Sequence, residues 1–224
     1  GSCIGDGSWG NGADKIGTGL IPLMTIAGEE YDKATGTGKI SYTGYFPANA
    51  EFKIVKTPGD WNNYVFCGGG APGKTSLRKG GDDTGNITVP SAGYYKITVD
   101  DATETCTIEA FTETPKLYEA MCITGDFTDS WSDVEMYPAS SADKTPEDVA
   151  AHNHIWIYPK EGYFKLETGS GIKFKIAGSW DTNWGVEAFP YGIGVNGGPN
   201  IPAEAGEYKV VFNDIDGSFH FLAK

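Results

Sequence analysis

The chain has 224 residues, a formal net charge of −13, 32 glycines, 12 prolines and 13% aromatic residues. So acidic a chain argues against a nucleic-acid partner, because binding a phosphate backbone needs clustered Lys and Arg to release its counterions. No apolar run reaches the ~18 residues of a membrane-spanning helix, and many turn formers beside large apolar side chains favour short strands joined by tight loops.

In chain order, Gly1-Ser2 reads as an expression remnant abutting a strand in progress, so the sequence is expected to be a piece of a longer protein. Short runs with β-branched, aromatic or alternating character follow: Leu20 to Met24, Lys39 to Tyr42, Glu51 to Val55 and Tyr94 to Val99. Asp100-Asp101-Ala102-Thr103 turns the chain into a return arm from Thr105 to Phe111. A short linker with a proline, Glu113-Thr114-Pro115-Lys116, leads to a new strand from Leu117 to Ile123. Thr145 and Pro146 would cap and open a single helical turn reaching Ala151. Asp214-Ile215-Asp216-Gly217 then turns into a last arm from Ser218 to Leu222, so each half ends in a hairpin.

The halves repeat one another. Phe52-Lys53-Ile54, Gly59-Asp60-Trp61, Asn86-Ile87, Gly93 and Tyr95-Lys96 recur in order as Phe174-Lys175-Ile176, Gly178-Ser179-Trp180, Asn200-Ile201, Gly206 and Tyr208-Lys209. Cys3-Ile4-Gly5-Asp6 before Trp9 matches Cys122-Ile123-Thr124-Gly125-Asp126 before Trp131. A repeat of about one hundred residues means two globular units in tandem rather than a solenoid. With no sustained helical periodicity, the expected fold class is all-β, two tandem immunoglobulin-like antiparallel β-sandwich domains spanning 1–112 and 116–224.

Several motifs invite chemistry and are better read as structure. Gly68 to Thr75 satisfies the G-x-x-x-x-G-K-[ST] pattern of a phosphate loop, but Thr75 leads into text that cannot sustain the required helix, so a surface loop is expected. His152 and His154 would project from one face of a strand without a third metal ligand. Asp126, Asp129 and Asp133 lack the glycine and bidentate glutamate of an EF-hand and read as a solvated turn. The four cysteines show no zinc or disulfide pattern; Cys3 and Cys122, at equivalent repeat positions, read as small buried hydrophobes, with a Cys3 to Cys106 bridge as the alternative. Asn86-Ile87-Thr88 is a formal glycosylation sequon. No motif demands a metal or cofactor, and no nucleophile has a partner, so the chain reads as a non-enzyme. Paired carboxylates of a glycoside hydrolase remain the less favoured alternative.

Tryptophan in loops is the remaining signal. Trp9, Trp61, Trp131, Trp180 and Trp184 sit in Gly, Asp, Asn and Ser-rich text, whereas Trp156 lies between isoleucines on a strand and is expected in the core. An indole face suits the C–H face of a sugar ring, and neighbouring amide, carboxylate and lysine groups suit its hydroxyl edge. The competing reading is that these rings cap the ends of each sandwich.

In this order of motifs the whole chain resembles the carboxy-terminal tandem modules of the SusE/SusF family of Bacteroidetes outer-membrane lipoproteins. The resemblance implies a non-catalytic, surface-exposed protein that binds starch or another polysaccharide beside an outer-membrane glycan transporter complex. Contact with the membrane would run through a lipid anchor outside this sequence. It also implies aromatic pairs assisted by Lys or Arg: Trp9 and Trp61 with Tyr64, Lys53 and Arg78 or Lys79 in the first module. In the second, Trp131 and Trp180 match with Trp184 and Lys175, and no later cation follows until Lys209. The alternative from another class is a structural or protein-interaction module of the uptake complex.

Overall fold

The structure, a computed structural model, describes residues 1–25, 31–32, 35, 37–139 and 146–224. It is an all-β fold of antiparallel sheets, with one short helix, α1 (Pro146–His152), among the described residues. Two compact units emerge: Gly1–Thr114 with Ser140–Asn153, and Pro115–Ala139 with His154–Lys224. Both units are therefore discontinuous in sequence. The expected N-cap Thr145 lies outside the described residues, while Pro146 opens the helix.

In the first unit one sheet runs β1 (Met24–Thr25), β3 (Thr37–Phe46), β9 (Gly93–Asp100), β10 (Thr105–Ala110), with β2 (Tyr31–Asp32) paired to the start of β3. The other layer holds the pair β4 (Glu51–Phe52) and β8 (Ile87–Thr88), and a three-stranded sheet β5 (Ile54–Val55), β6 (Asn63–Gly68), β7 (Thr75–Lys79). Strand alternation in β9 buries Tyr95, Ile97 and Val99 on one face. Phe46 and Phe52 join the layers, their rings 5.0 Å apart.

The second unit has two six-stranded sheets. One is β12 (Val134–Glu135), β11 (Met121–Gly125), β16 (Gly171–Ile176), β17 (Asn183–Gly185), β19 (Val195–Asn196), with β20 (Ile201–Pro202) also on β16. The other is β13 (Tyr137–Pro138), β14 (Ile155–Tyr158), β21 (Gly206–Asn213), β22 (Ser218–Ala223), β18 (Tyr191–Ile193), with β15 (Phe164–Leu166) also on β21. Phe174 stacks on Phe212 at 4.3 Å, joining the sheets through a core that includes Trp156.

The hairpins share a register: Tyr95 faces Ala110 as Tyr208 faces Ala223. Cys106, Thr107 and Ile108 thus occupy the places of Phe219, His220 and Phe221. All four cysteines are free thiols, and burial pushes the Cys106 thiol up to about 12.

Three motif readings resolve here. Gly68 to Thr75 is the turn of the β6–β7 hairpin, closed by Gly69 N–H donating to Lys74 O at 2.9 Å, and Thr75 begins a strand rather than a helix. The histidines do not share a strand face as expected: the strand begins only at Ile155. His152 ends α1 and stacks on Tyr45 at 3.6 Å, while buried His154 meets the Asp214 carboxylate through Nδ1 at 2.5 Å. Trp156 Nε1 donates to the other oxygen of Asp214 at 2.6 Å. Nor is the aspartate-rich turn merely solvated, because Asp126 and Asp133 bond within the second unit, as described next.

Candidate functional site

Each unit brings two loop tryptophans together. Trp9 and Trp61 lie 6.5 Å apart with ring planes at 50°, and Trp131 and Trp180 lie 6.2 Å apart at 42°. Equivalent sequence positions thus produce nearly equal open angles between indole faces. All four rings reach solvent in part, and Trp180 is 49% exposed.

The loops are built the same way. Gly5 and Gly125 let the backbone approach a neighbouring carbonyl so closely that a Cβ would sit 1.4 Å from Thr18 O or 2.2 Å from Gly171 O. The next residue bonds that carbonyl: Asp6 N–H donates to Thr18 O at 3.1 Å, Asp126 N–H to Gly171 O at 3.0 Å. The chain then turns so that Trp9 (φ 60°) and Trp131 (φ 58°) both adopt the left-handed region. That conformation is uncommon for a bulky residue, and such outliers cluster at functional sites. A side-chain turn shapes the second loop in each case. Asp60 Oδ1 accepts from the Asn62 and Asn63 amides at 2.8 and 3.0 Å, and Ser179 Oγ accepts from the Asp181 amide at 3.1 Å. One bond ties the two loops of each unit, always from the residue two after the first tryptophan: Asn11 O accepts Gly59 N–H at 2.6 Å, Asp133 Oδ2 accepts Gly178 N–H at 2.8 Å.

A lysine sits beside each pair. In the first unit a cleft of about 270 Å³ is lined by Trp9, Lys53, Trp61, Asp83 and Asn86. The Lys53 ammonium pairs with Asp83, and this hydrogen bond, with the Gly85 amide, holds the Asp83 carboxyl below its ordinary range. In the second unit the Lys175 stem is buried while its ammonium lies 5.1 Å from the Trp180 ring and 2.5 Å from Asp133 Oδ1. Burial pushes the Asp133 carboxyl up, but the Lys175 ammonium and the Gly178 amide outweigh it, and the net shift is downward. Both carboxylates therefore stay ionised at neutral pH. Asp126 adds one further restraint: Oδ1 accepts from Trp131 Nε1 at 2.8 Å while Oδ2 accepts from the Gly171 amide at 2.7 Å.

Other expected residues fall elsewhere. Trp184 belongs to the core, not the second site: it is buried, 5.4 Å from Phe212 and 5.6 Å from Tyr118. Its register explains this, because β17 places it opposite inward-facing Phe174. Tyr64 and Lys79 do not line the Trp9–Trp61 cleft. Lys56 and Lys79 approach the Tyr64 ring at 4.6 and 5.6 Å, and Lys79 pairs with Glu104, so they form a separate charged cluster. Arg78 does not line the cleft either; its guanidinium holds the backbone, donating to Trp61 O at 2.8 Å and to Gly81 O. Sequence reasoning missed Asp83, which precedes β8 in a loop without counterpart in the second half. It also missed the structural work of Asp126 and Asp133, whose only signal was their spacing around Trp131.

The fold and sites define an all-β chain of two units, each carrying a tilted tryptophan pair beside a lysine–carboxylate pair. No family profile and no curated protein matches this sequence. Among solved structures, the crystal structure of SusF from Bacteroides thetaiotaomicron aligns with 87% of this chain at 16% identity and a TM-score of 0.34. This chain spans 44% of the length of that one.

Proposed function

We propose that the protein binds an extracellular polysaccharide without cleaving it, one glycan segment seated on each tryptophan pair. The observation that carries this reading is the recurrence, at equivalent positions of both units, of two half-open indole faces beside a charge-neutralised lysine. Core packing would not require a repeated left-handed tryptophan. The lysine and carboxylate offer donors and acceptors to sugar hydroxyls while the indoles receive the apolar ring faces. Planes inclined at 42 to 50° fit a curved chain of pyranose units, as in a starch-like glucan, better than a flat one.

If two rings remove about 150 Å² of apolar sugar surface from water, the area rule gives roughly 4 kcal/mol, near a millimolar dissociation constant before hydrogen bonds are added. Two weak sites on one chain gain apparent affinity when a single polymer reaches both. The sequence resemblance described above supplies the proposed setting: the surface of an outer membrane, held by a lipid anchor, beside a glycan transporter. Affinity electrophoresis against a panel of soluble polysaccharides tests the proposal. Retardation by at least one glycan, lost in the Trp61→Ala/Trp180→Ala double variant, is expected. A chain retarded by none is a protein-contact module, and release of reducing sugar would identify a hydrolase.

A further inference from the structure

The units differ on one flank. In the second, the segment after β17 crosses from one sheet to the other: Phe189 packs on Phe221 and Tyr208 at 5.1 and 5.3 Å, Pro190 O accepts the Phe221 amide at 2.7 Å, and β18 then pairs along the outer edge of β22. In the first, β6 turns directly into β7, and among the described residues no strand pairs with the outer edge of β10. An open groove of about 540 Å³ lies there between β7 and β10, floored by Phe66, Leu77, Cys106 and Ile108 and rimmed by Lys74 and Glu109.

The backbone of β10 is set up for pairing. Phe111 N–H donates inward to Tyr94 O, so by alternation Cys106, Ile108 and Ala110 direct their amide and carbonyl groups outward. Cys106 O already accepts the Thr75 hydroxyl at 2.9 Å. Ile108 holds the register place of Phe221, whose amide takes the Pro190 carbonyl in the other unit. The groove is thus the space that residues 186–193 fill in the second unit.

We propose that this groove binds an extended polypeptide segment of a partner protein, added antiparallel to β10 by main-chain hydrogen bonds. Such strand addition draws affinity from the main chain and specificity from alternate side chains. Inward positions of the segment are apolar, to cover Leu77 and Ile108. Outward positions are basic, because Thr105, Thr107 and Glu109 form the exposed face and the chain carries a net charge of −13. The proposal is independent of glycan binding.

The test uses the full 224-residue chain, isotopically labelled. The probe is a synthetic peptide of residues 186–193 of this chain, carrying Tyr191→Lys, which sets an ammonium opposite Thr107 and diagonal to Glu109. Saturable amide shifts confined to 75–79 and 105–110, with slowed exchange at Ile108 and a dissociation constant of ~1 mM or tighter, are expected. Leu77→Glu should weaken binding at least about tenfold, and the exposed Glu109→Lys a few-fold should Leu77→Glu fail to fold, while polysaccharide retardation persists in both. No saturable shift, shifts centred elsewhere, or binding indifferent to these variants would overturn the proposal.

Discussion

In the first unit the site lysine, Lys53, finds its carboxylate on the loop before β8, at Asp83, whereas in the second the equivalent Lys175 finds Asp133, two residues after Trp131. The indole angle, the left-handed first tryptophan and the stitch between loops recur, while the source of the negative charge does not. Repetition within one chain thus separates what the site needs from what each unit happened to supply. A largely buried ammonium needs a counter-charge, and a different loop supplies it in each unit. The second unit also restrains Trp131 through Asp126, whereas the equivalent Asp6 accepts from the Ser8 amide at 2.9 Å.

The largest test of this comparison is stability. Trp156→Ala and Trp184→Ala should each cost about 3 to 5 kcal/mol in urea unfolding, as for other buried large-to-small changes. Trp61→Ala and Trp180→Ala should cost less than about 1 kcal/mol, since their rings are half-open. If Trp184→Ala left stability intact and abolished binding, its assignment to the core would be wrong. Next comes affinity: Trp61→Ala should weaken polysaccharide binding by roughly tenfold to a hundredfold, through lost stacking and lost two-site engagement. Titration calorimetry with an oligosaccharide too short to bridge the sites would separate the two contributions.

Acid should discriminate between the units. Burial lowers the His220 pKa to about 4, and Tyr191 on β18 packs against its ring at 5.3 Å. A depressed histidine means that the unfolded chain takes up a proton that the folded one refuses. Stability is therefore complete above the ordinary histidine range and is lost progressively as pH falls from about 6.5 to about 4, by roughly 1 to 3 kcal/mol. Thr107 holds the same register in the first unit, so His220→Thr should flatten that slope in pH-resolved unfolding. Glycan binding should stay level from about pH 5 to 8, because Asp83 and Asp133 have depressed pKa values and remain ionised. The smallest effect is that of Asp126→Asn, which should weaken the second site a few-fold and leave the first untouched, as measured with site-selective tryptophan fluorescence.

Much of this was legible because the sequence says it twice. Phe-Lys-Ile at 52–54 and 174–176, followed in the same order by Gly-Asp-Trp61 and Gly-Ser-Trp180, marked the repeat and the partners of each indole pair, while short strands without helical periodicity carried the all-β reading. Trp184 misled because its Asn and Gly neighbours look like loop text, while strand register against Phe174 decides its burial and register is not written locally. Asp83 and Asn86 were illegible as cleft residues, since the path of a loop between β7 and β8 depends on packing across the sheet. Tyr64 follows Trp61 by three residues, but it stands at a bulge between Asn63 and Val65 with φ 57°, and its ring lies against Lys56 and Lys79 rather than in the cleft.

The backbone at Trp9 and Trp131 carries a last implication. An L-residue in the left-handed basin costs about 1 kcal/mol or more relative to glycine, so at both positions the glycine variant, Trp9→Gly or Trp131→Gly, should melt above the corresponding alanine variant, which loses the same ring and keeps the strain. Under the proposed function, the strain and the outward-held indole come as one, and glycine would remove both together.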